Sequence, residues 1–152
     1  MTHTFNTTIE KFLAPKKMAV AGVSRNPKKF GYIAFKELAE RGFDLYPVHP
    51  EADEILGVKC YHSVASLPDG VTHLLSMVPK PETESVVSEA LSRGIGNIWI
   101  QQMSETPEAV ELAKEKKAGL VIRTCILMHA GPVKGIHWFH RGMLKMFGML
   151  PK

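Results

Sequence analysis

Residues 17–31 read KMAVAGVSRNPKKFG, and this stretch decides the fold. Its apolar run, 17–23, is strand-length and leads through Gly22 into a polar, cationic loop. Asn26 and Pro27 form a helix-start signal, a cap residue followed by proline in the first turn. The helix predicted after them carries Phe30, Ile33, Ala34 and Leu38 at helical spacing and stops at Gly42.

The same alternation repeats outward. A short amphipathic opener (Ile9, Phe12, Leu13) comes first. A second strand covers 43–48, and 51–70 is irregular, with a short extended piece near 58–61. A third strand spans 72–78, and Pro81 begins a helix with Glu82 and Glu84 in its first turn, closed by Gly94. A fourth strand spans 97–101, Thr106-Pro107-Glu108 starts a helix ending in lysines and Gly119, and a fifth strand covers 120–126. Four of these strands are nearly continuous apolar runs, as in sheets covered by helices on both faces. The fold expected is α/β, a doubly wound parallel sheet of about five strands in a single domain, 1–152.

Composition narrows the class. The chain has 152 residues, 45% hydrophobic and 22% charged, ordinary values for one globular domain. No apolar run approaches the ~20 residues of a membrane span, and the first residues lack a secretory pattern. Two cysteines are too few for a disulfide framework, so a reducing, cytoplasmic setting is expected. The net charge of +4 equals the cations of the tail, Lys134, Arg141, Lys145 and Lys152, with no acid after Glu115. A basic amphipathic helix is predicted at about 136–148, with Phe139, Met143, Met146 and Phe147 as its apolar stripe. It is expected to pack on the sheet edge or on a second copy, so monomer and homodimer both remain open, rather than on a membrane. No recognition-helix motif or interleaved basic and aromatic surface points to nucleic acid.

Open parallel sheets bind ligands beyond the carboxyl ends of their strands. The first such loop has Gly22, Val23, the Ser24 hydroxyl, Arg25, Asn26, Pro27, Lys28 and Lys29 before a helix start, which favours a phosphate. Gly31 allows a close approach there. The dinucleotide fingerprint GxGxxG is absent. The second strand ends in Pro47-Val48-His49-Pro50, without the acid that holds an adenosine ribose, and Glu51 comes behind a rigid proline. An NAD(P)-dependent oxidoreductase is therefore the alternative and not the first reading.

Taken together, GVSRNPKKFGY (22–32), ERGF (40–43), LYPVHP (45–50) and MVPKP (77–81) resemble the small stand-alone coenzyme A-binding proteins. These are bacterial and archaeal relatives of the N-terminal domain of the succinyl-CoA synthetase alpha subunit. The similarity covers about residues 10–128. It implies a Rossmann-like fold that binds coenzyme A or an acyl-CoA. The pyrophosphate would lie on the Ser24–Lys28 loop and the helix start at Gly31 and Tyr32. The adenosine would lie against Val48, His49, Pro50 and Val78, Pro79, Lys80. The relatives more often read PVNP where this chain has His49. The synthetase's phosphohistidine domain has no room in this length, so a binding protein without its own catalysis is expected.

Two constellations remain. His137 and His140 are spaced as H-x-x-H, without the glutamate or further acid of a metal site. Cys125 and His129 sit four apart where the fifth strand is expected to end, a conceivable thiolate–imidazole pair. The first reading of Cys125 is a small buried hydrophobe. At a strand's carboxyl end it would also face the crevice, within reach of a coenzyme A thiol, with Arg123 on the same strand face.

Overall fold

Alternation along the first strand sets the layers: Met18 and Val20 enter the core on one face of the sheet, Ala19 and Ala21 the core on the other. The computed structural model of the chain describes residues 2–131. They run α1 (Thr2–Leu13), β1 (Lys17–Ala21), α2 (Phe30–Glu40), β2 (Asp44–Val48), a hairpin of β3 (Glu54–Ile55) and β4 (Val58–Lys59), β5 (His73–Ser76), α3 (Lys80–Ser92), β6 (Asn97–Ile100), α4 (Pro107–Glu115) and β7 (Gly119–Val121). The sheet is parallel throughout, in the order β2-β1-β5-β6-β7.

One core layer joins α1 and α2 to Met18, Val20, Leu45, Leu75, Trp99 and Val121; the other joins α3 and α4 to Ala19, Leu74, Ile98 and Ile100. The doubly wound, Rossmann-like sheet is therefore as expected. Phe12 of α1 meets Trp99 and His73 edge-on, with ring centroids 5.4 and 5.1 Å apart. His73 is buried, hydrogen-bonded to the Thr72 hydroxyl at 2.8 Å, and burial pushes its pKa down. No helix among the described residues is long and apolar enough to cross a membrane.

Two start-and-stop signals act differently from their reading. Thr106 caps α4 as expected, its Oγ1 accepting the Ala109 N–H at 3.2 Å with Pro107 in the first turn. Asn26-Pro27 does not start α2, which begins at Phe30. Asn26 Oδ1 accepts the Lys28 N–H at 2.9 Å instead, and the Asn26 carbonyl accepts from Lys29, which makes a turn. Gly119 does not end α4 but opens β7; Lys117, at φ 57°, takes the left-handed position after the helix. The fifth strand ends at Val121 rather than 126, because Arg123 turns the chain at φ 64° into a short 3₁₀ turn, Ile126–Met128.

That turn is clasped from α2. Arg41 Nη1 donates to the Leu127 carbonyl at 3.2 Å, and Nη2 lies 3.1 Å from Glu37 Oε1, one helical turn earlier. Both side chains are fully buried, and burial raises the Glu37 carboxyl and lowers the Arg41 guanidinium, against the attraction between them. The helix predicted at about 136–148, with its apolar stripe and its His137–His140 pair, lies outside the described residues.

Candidate functional site

Strand order reverses between β1 and β5. The chain leaves β1 for α2 on one face of the sheet and leaves β5 for α3 on the other, so the two exits diverge and open a crevice at the carboxyl ends. A cleft of about 370 Å³ lies there. Ala21, Gly22 and Val23 line it from β1, Val48, His49 and Pro50 from β2, and Val78 and Pro79 from β5. Glu82, Ser85, Val86 and Glu89 form its α3 wall, and His62, Ser63 and Val64 complete it.

Backbone packed on backbone sets the cleft's floor. Gly22 has φ +93°, and a Cβ there would lie 2.5 Å from the Met77 carbonyl carbon. A Cβ on Gly31 would run into the Gly22 carbonyl oxygen. The close approach foreseen at Gly31 is thus made by the chain itself: the β1 exit, the first turn of α2 and the β5 exit touch without side chains between them.

From Val23 the chain enters the cationic turn. Ser24 Oγ accepts the Asn26 N–H at 3.0 Å, and with the Asn26 bonds above it holds 24–29 in one shape. Arg25, Asn26, Pro27, Lys28 and Lys29 are exposed on it, and Lys29 precedes α2 with no side-chain cap. Gly22 and Val23 line the cleft; the turn stands beside it. Tyr32 is half-buried against the α1–α2 core, and Lys80 is exposed at the start of α3; neither lines the cleft.

His49 is fixed by its own loop. Its Nδ1 accepts the N–H of Glu51 at 3.0 Å and of Ala52 at 2.9 Å, an arrangement open only to the neutral ring with its proton on Nε2. Burial and the nearby Arg25 charge push its pKa down, as does His62, while Glu51 opposes them. The His49 N–H donates to the Tyr61 carbonyl at 2.8 Å, which ties the end of β2 to the segment carrying His62 and Ser63. Glu89 Oε1 accepts the Ala65 N–H at 2.9 Å and fastens that segment to α3. His62 Nε2 lies 3.2 Å from Asp53 Oδ1, both exposed.

Cys125 is a small buried hydrophobe, as first read, and does not face the cleft as its position at a strand end suggested. It follows β7 by several residues, opens the 3₁₀ turn and is buried in the α1–α2 core, away from the cleft lining. The adjoining Ile126 N–H donates to Gln101 Oε1 at 3.0 Å, which seats the turn inward. Burial pushes the thiol pKa up, with Gln101, the turn's backbone and Arg41 opposing it. Arg123 is exposed on the left-handed turn, not on a strand face. His129 Nε2 lies 2.9 Å from Thr124 Oγ1, and its ring sits 5.9 Å from Trp99.

The α3 wall is absent from the sequence expectation, although 82, 85, 86 and 89 share one helical face behind a strand exit. Residues 62–64 carried no signal, because their place depends on the Glu89 bond. No group of three or more His, Cys, Asp or Glu among the described residues is placed to hold a metal ion.

Similarities to known proteins agree with this fold. The sequence profile of a CoA binding domain family matches residues 16–130. The chain is 37% identical over 97 residues to a trans-feruloyl-CoA synthase of an unknown prokaryotic organism, covering 62% of this chain and 14% of that protein. It is 31% identical over 129 residues to the alpha subunit of an ADP-forming acetate–CoA ligase II of Pyrococcus furiosus, covering 78% of this chain and 28% of that subunit. A solved structure of a conserved hypothetical protein from Pyrococcus furiosus superposes with a TM-score of 0.70 at 36% identity, over 72% of this chain and 95% of that one. The chain thus spans 14% and 28% of the two enzymes' lengths, and the superposition covers 95% of the hypothetical protein.

Proposed function

The chain belongs to the CoA binding domain family, and we propose that it binds coenzyme A or an acyl-CoA in the cleft between β1, β2 and β5, without catalysing a reaction by itself. The observation that carries this reading is the cleft at the strand-order reversal, with a self-bonded cationic turn and an uncapped helix start beside it. The turn would take the pyrophosphate. Val48, Pro50, Val78 and Pro79 offer apolar walls for the adenosine. NAD suits the cleft less well, because the end of β2 presents a histidine where a ribose-binding carboxylate belongs. As for catalysis, neither cleft serine, Ser63 nor Ser85, has a histidine hydrogen-bonded to it among the described residues, and Cys125 lies elsewhere. A reducing cytoplasmic setting fits two buried cysteines outside any disulfide.

Thermal melts with coenzyme A, acetyl-CoA, NAD, NADP and ATP test the reading, since a ligand of the native state raises its stability. Coenzyme A should raise the melting temperature and NAD should not; the reverse pattern overturns it. Incubation with ATP, coenzyme A and a panel of carboxylic acids should give no thioester. Steady thioester formation by the purified chain would show it to be an enzyme.

A further inference from the structure

One wall of the cleft is not part of the sheet. Residues 62–64 line the cleft, and behind them lies a second cavity of about 420 Å³, with Tyr61, His62, Ser63 and Ser66 in its lining. His62 and Ser63 therefore form a partition with space on both sides. Apolar packing holds this segment only through Val64 and Leu67, which are buried in the α3–α4 core. Two side chains of α3, one helical turn apart, hold its backbone. Glu89 Oε1 accepts the Ala65 N–H at 2.9 Å, and Arg93 Nη2 donates to the Leu67 carbonyl. Arg93 Nη2 also lies 3.8 Å from Asp69 Oδ1. The two backbone groups are of the kind that the 3₁₀ turn at Val64–Ser66 leaves over, an N–H near its start and a carbonyl just past its end.

Glu89 is otherwise out of place. It lines a cleft read as holding a polyanion, where a carboxylate opposes the charge of the phosphates. A carboxylate oxygen bonded to a backbone N–H gives that residue a use that offsets the repulsion. Arg93 does not line the cleft and has no contact with a ligand held there. We infer that Glu89 and Arg93 are positioning residues, a two-point clasp from α3 that fixes the 62–64 wall before the ligand arrives, so that binding does not have to order it. This rests on the coenzyme A reading above and adds to it two residues that set affinity through the wall and not through the ligand.

Calorimetric titration with coenzyme A, at low and at high salt, tests it. Glu89→Gln keeps an acceptor oxygen for the Ala65 N–H and removes the charge, so it should bind within about twofold of the native chain. Glu89→Ala removes the acceptor and should bind about fivefold more weakly, the scale of one hydrogen bond. Charge repulsion alone would make both variants bind more tightly, and a direct bond from the carboxylate to the ligand would make both bind more weakly; either pattern overturns the clasp. Arg93→Ala should weaken binding by a similar factor although no cleft contact is lost, and it decides the matter if Glu89→Ala does not fold. Both losses should persist as salt rises, because no ligand charge is involved. Hydrogen exchange at the Ala65 amide reads the clasp without ligand: slow in the native chain and in Glu89→Gln, faster in Glu89→Ala. Native affinity in both alanine variants overturns the clasp and leaves coenzyme A binding standing. Failure of the native chain to bind coenzyme A overturns that reading itself, and the clasp's part in it.

Discussion

Two corners of the same sheet edge have opposite fates. At the carboxyl ends of β1, β2 and β5 the edge is an open cleft walled by backbone, with exposed cations beside it. At the ends of β6 and β7 it is closed by the turn at Ile126–Met128, the buried Glu37–Arg41 pair and Cys125. Topology makes the difference. Between β1 and β5 the helices depart to opposite faces and leave a gap, whereas beyond β6 and β7 the Ile126–Met128 turn, joined to Gln101 and Arg41, folds back over the strand ends. A residue near the end of a parallel strand is therefore not placed in the crevice by that position alone; Cys125 is closed in, whereas the exits beside the strand-order reversal stay open.

The largest expected effect lies in the closed corner. Arg41→Ala leaves the Glu37 carboxylate buried without its nearest cation and removes the bond to the Leu127 carbonyl. Urea unfolding should show a loss of about 3–5 kcal/mol. Replacing both partners together, Glu37→Leu with Arg41→Met, should recover most of it, because apolar side chains carry no desolvation cost there. Coenzyme A affinity of the double variant should stay near the native value. A double variant that is stable yet has lost the ligand would break the separation of the two corners.

Next comes the floor of the open corner. In an unobstructed helix Gly→Ala stabilises by about 1 kcal/mol. Gly31→Ala should reverse that sign, because the new methyl meets the Gly22 carbonyl oxygen and the backbone must give way. A loss of about 2 kcal/mol in the same unfolding experiment, with weaker coenzyme A binding, is the expected outcome. A more stable variant would mean that the three chain segments are not in contact.

Binding through the cationic turn is the third comparison. Lys28→Ala with Lys29→Ala removes two exposed charges from a turn held by Ser24 and Asn26, so stability should hold while affinity falls. The loss should be about three- to tenfold at low ionic strength and should narrow as salt is added. An affinity loss independent of salt would exclude a direct electrostatic role.

The open corner was more legible in sequence than the closed one. Apolar runs mark β1, β5 and β6, and the exits of β1, β2 and β5 name the backbone that lines the cleft. Thr106 and Asn26 carry the same cap-then-proline pattern, yet they end differently. Thr106 reaches the N–H three residues on and starts a helix, whereas Asn26 reaches the one two residues on and holds a turn. Local pattern does not separate these outcomes. The end of β7 was hidden for another reason: Ile126 and Leu127 are as buried as strand residues, and the break falls at Arg123, which no composition rule marks. His49 stood out as a departure from the PVNP pattern, but its partners are backbone groups, and no side-chain spacing could have shown them.

The smallest effect compares the two corners through their histidines. His49 in the cleft and His129 beside Trp99 both have pKa values pushed below the ordinary value of about 6.5, and burial is the first cause in each. The unfolded chain therefore takes up protons near pH 6.5, where the folded chain still resists them. Stability from these groups is complete above that pH and declines as pH falls below it toward the folded values. In His49 the resistance has a structural form, since a proton on Nδ1 would displace the Glu51 and Ala52 N–H groups. His49→Asn keeps an acceptor that does not titrate, so its stability should fall less between pH 7.5 and 5.5 than that of the native chain, by about a few tenths of a kcal/mol. His129 and His73 under α1, both lowered by burial, contribute slope of the same sign. Superimposable stability–pH curves for variant and native chain would mean that His49 does not hold the loop through an unprotonated Nδ1.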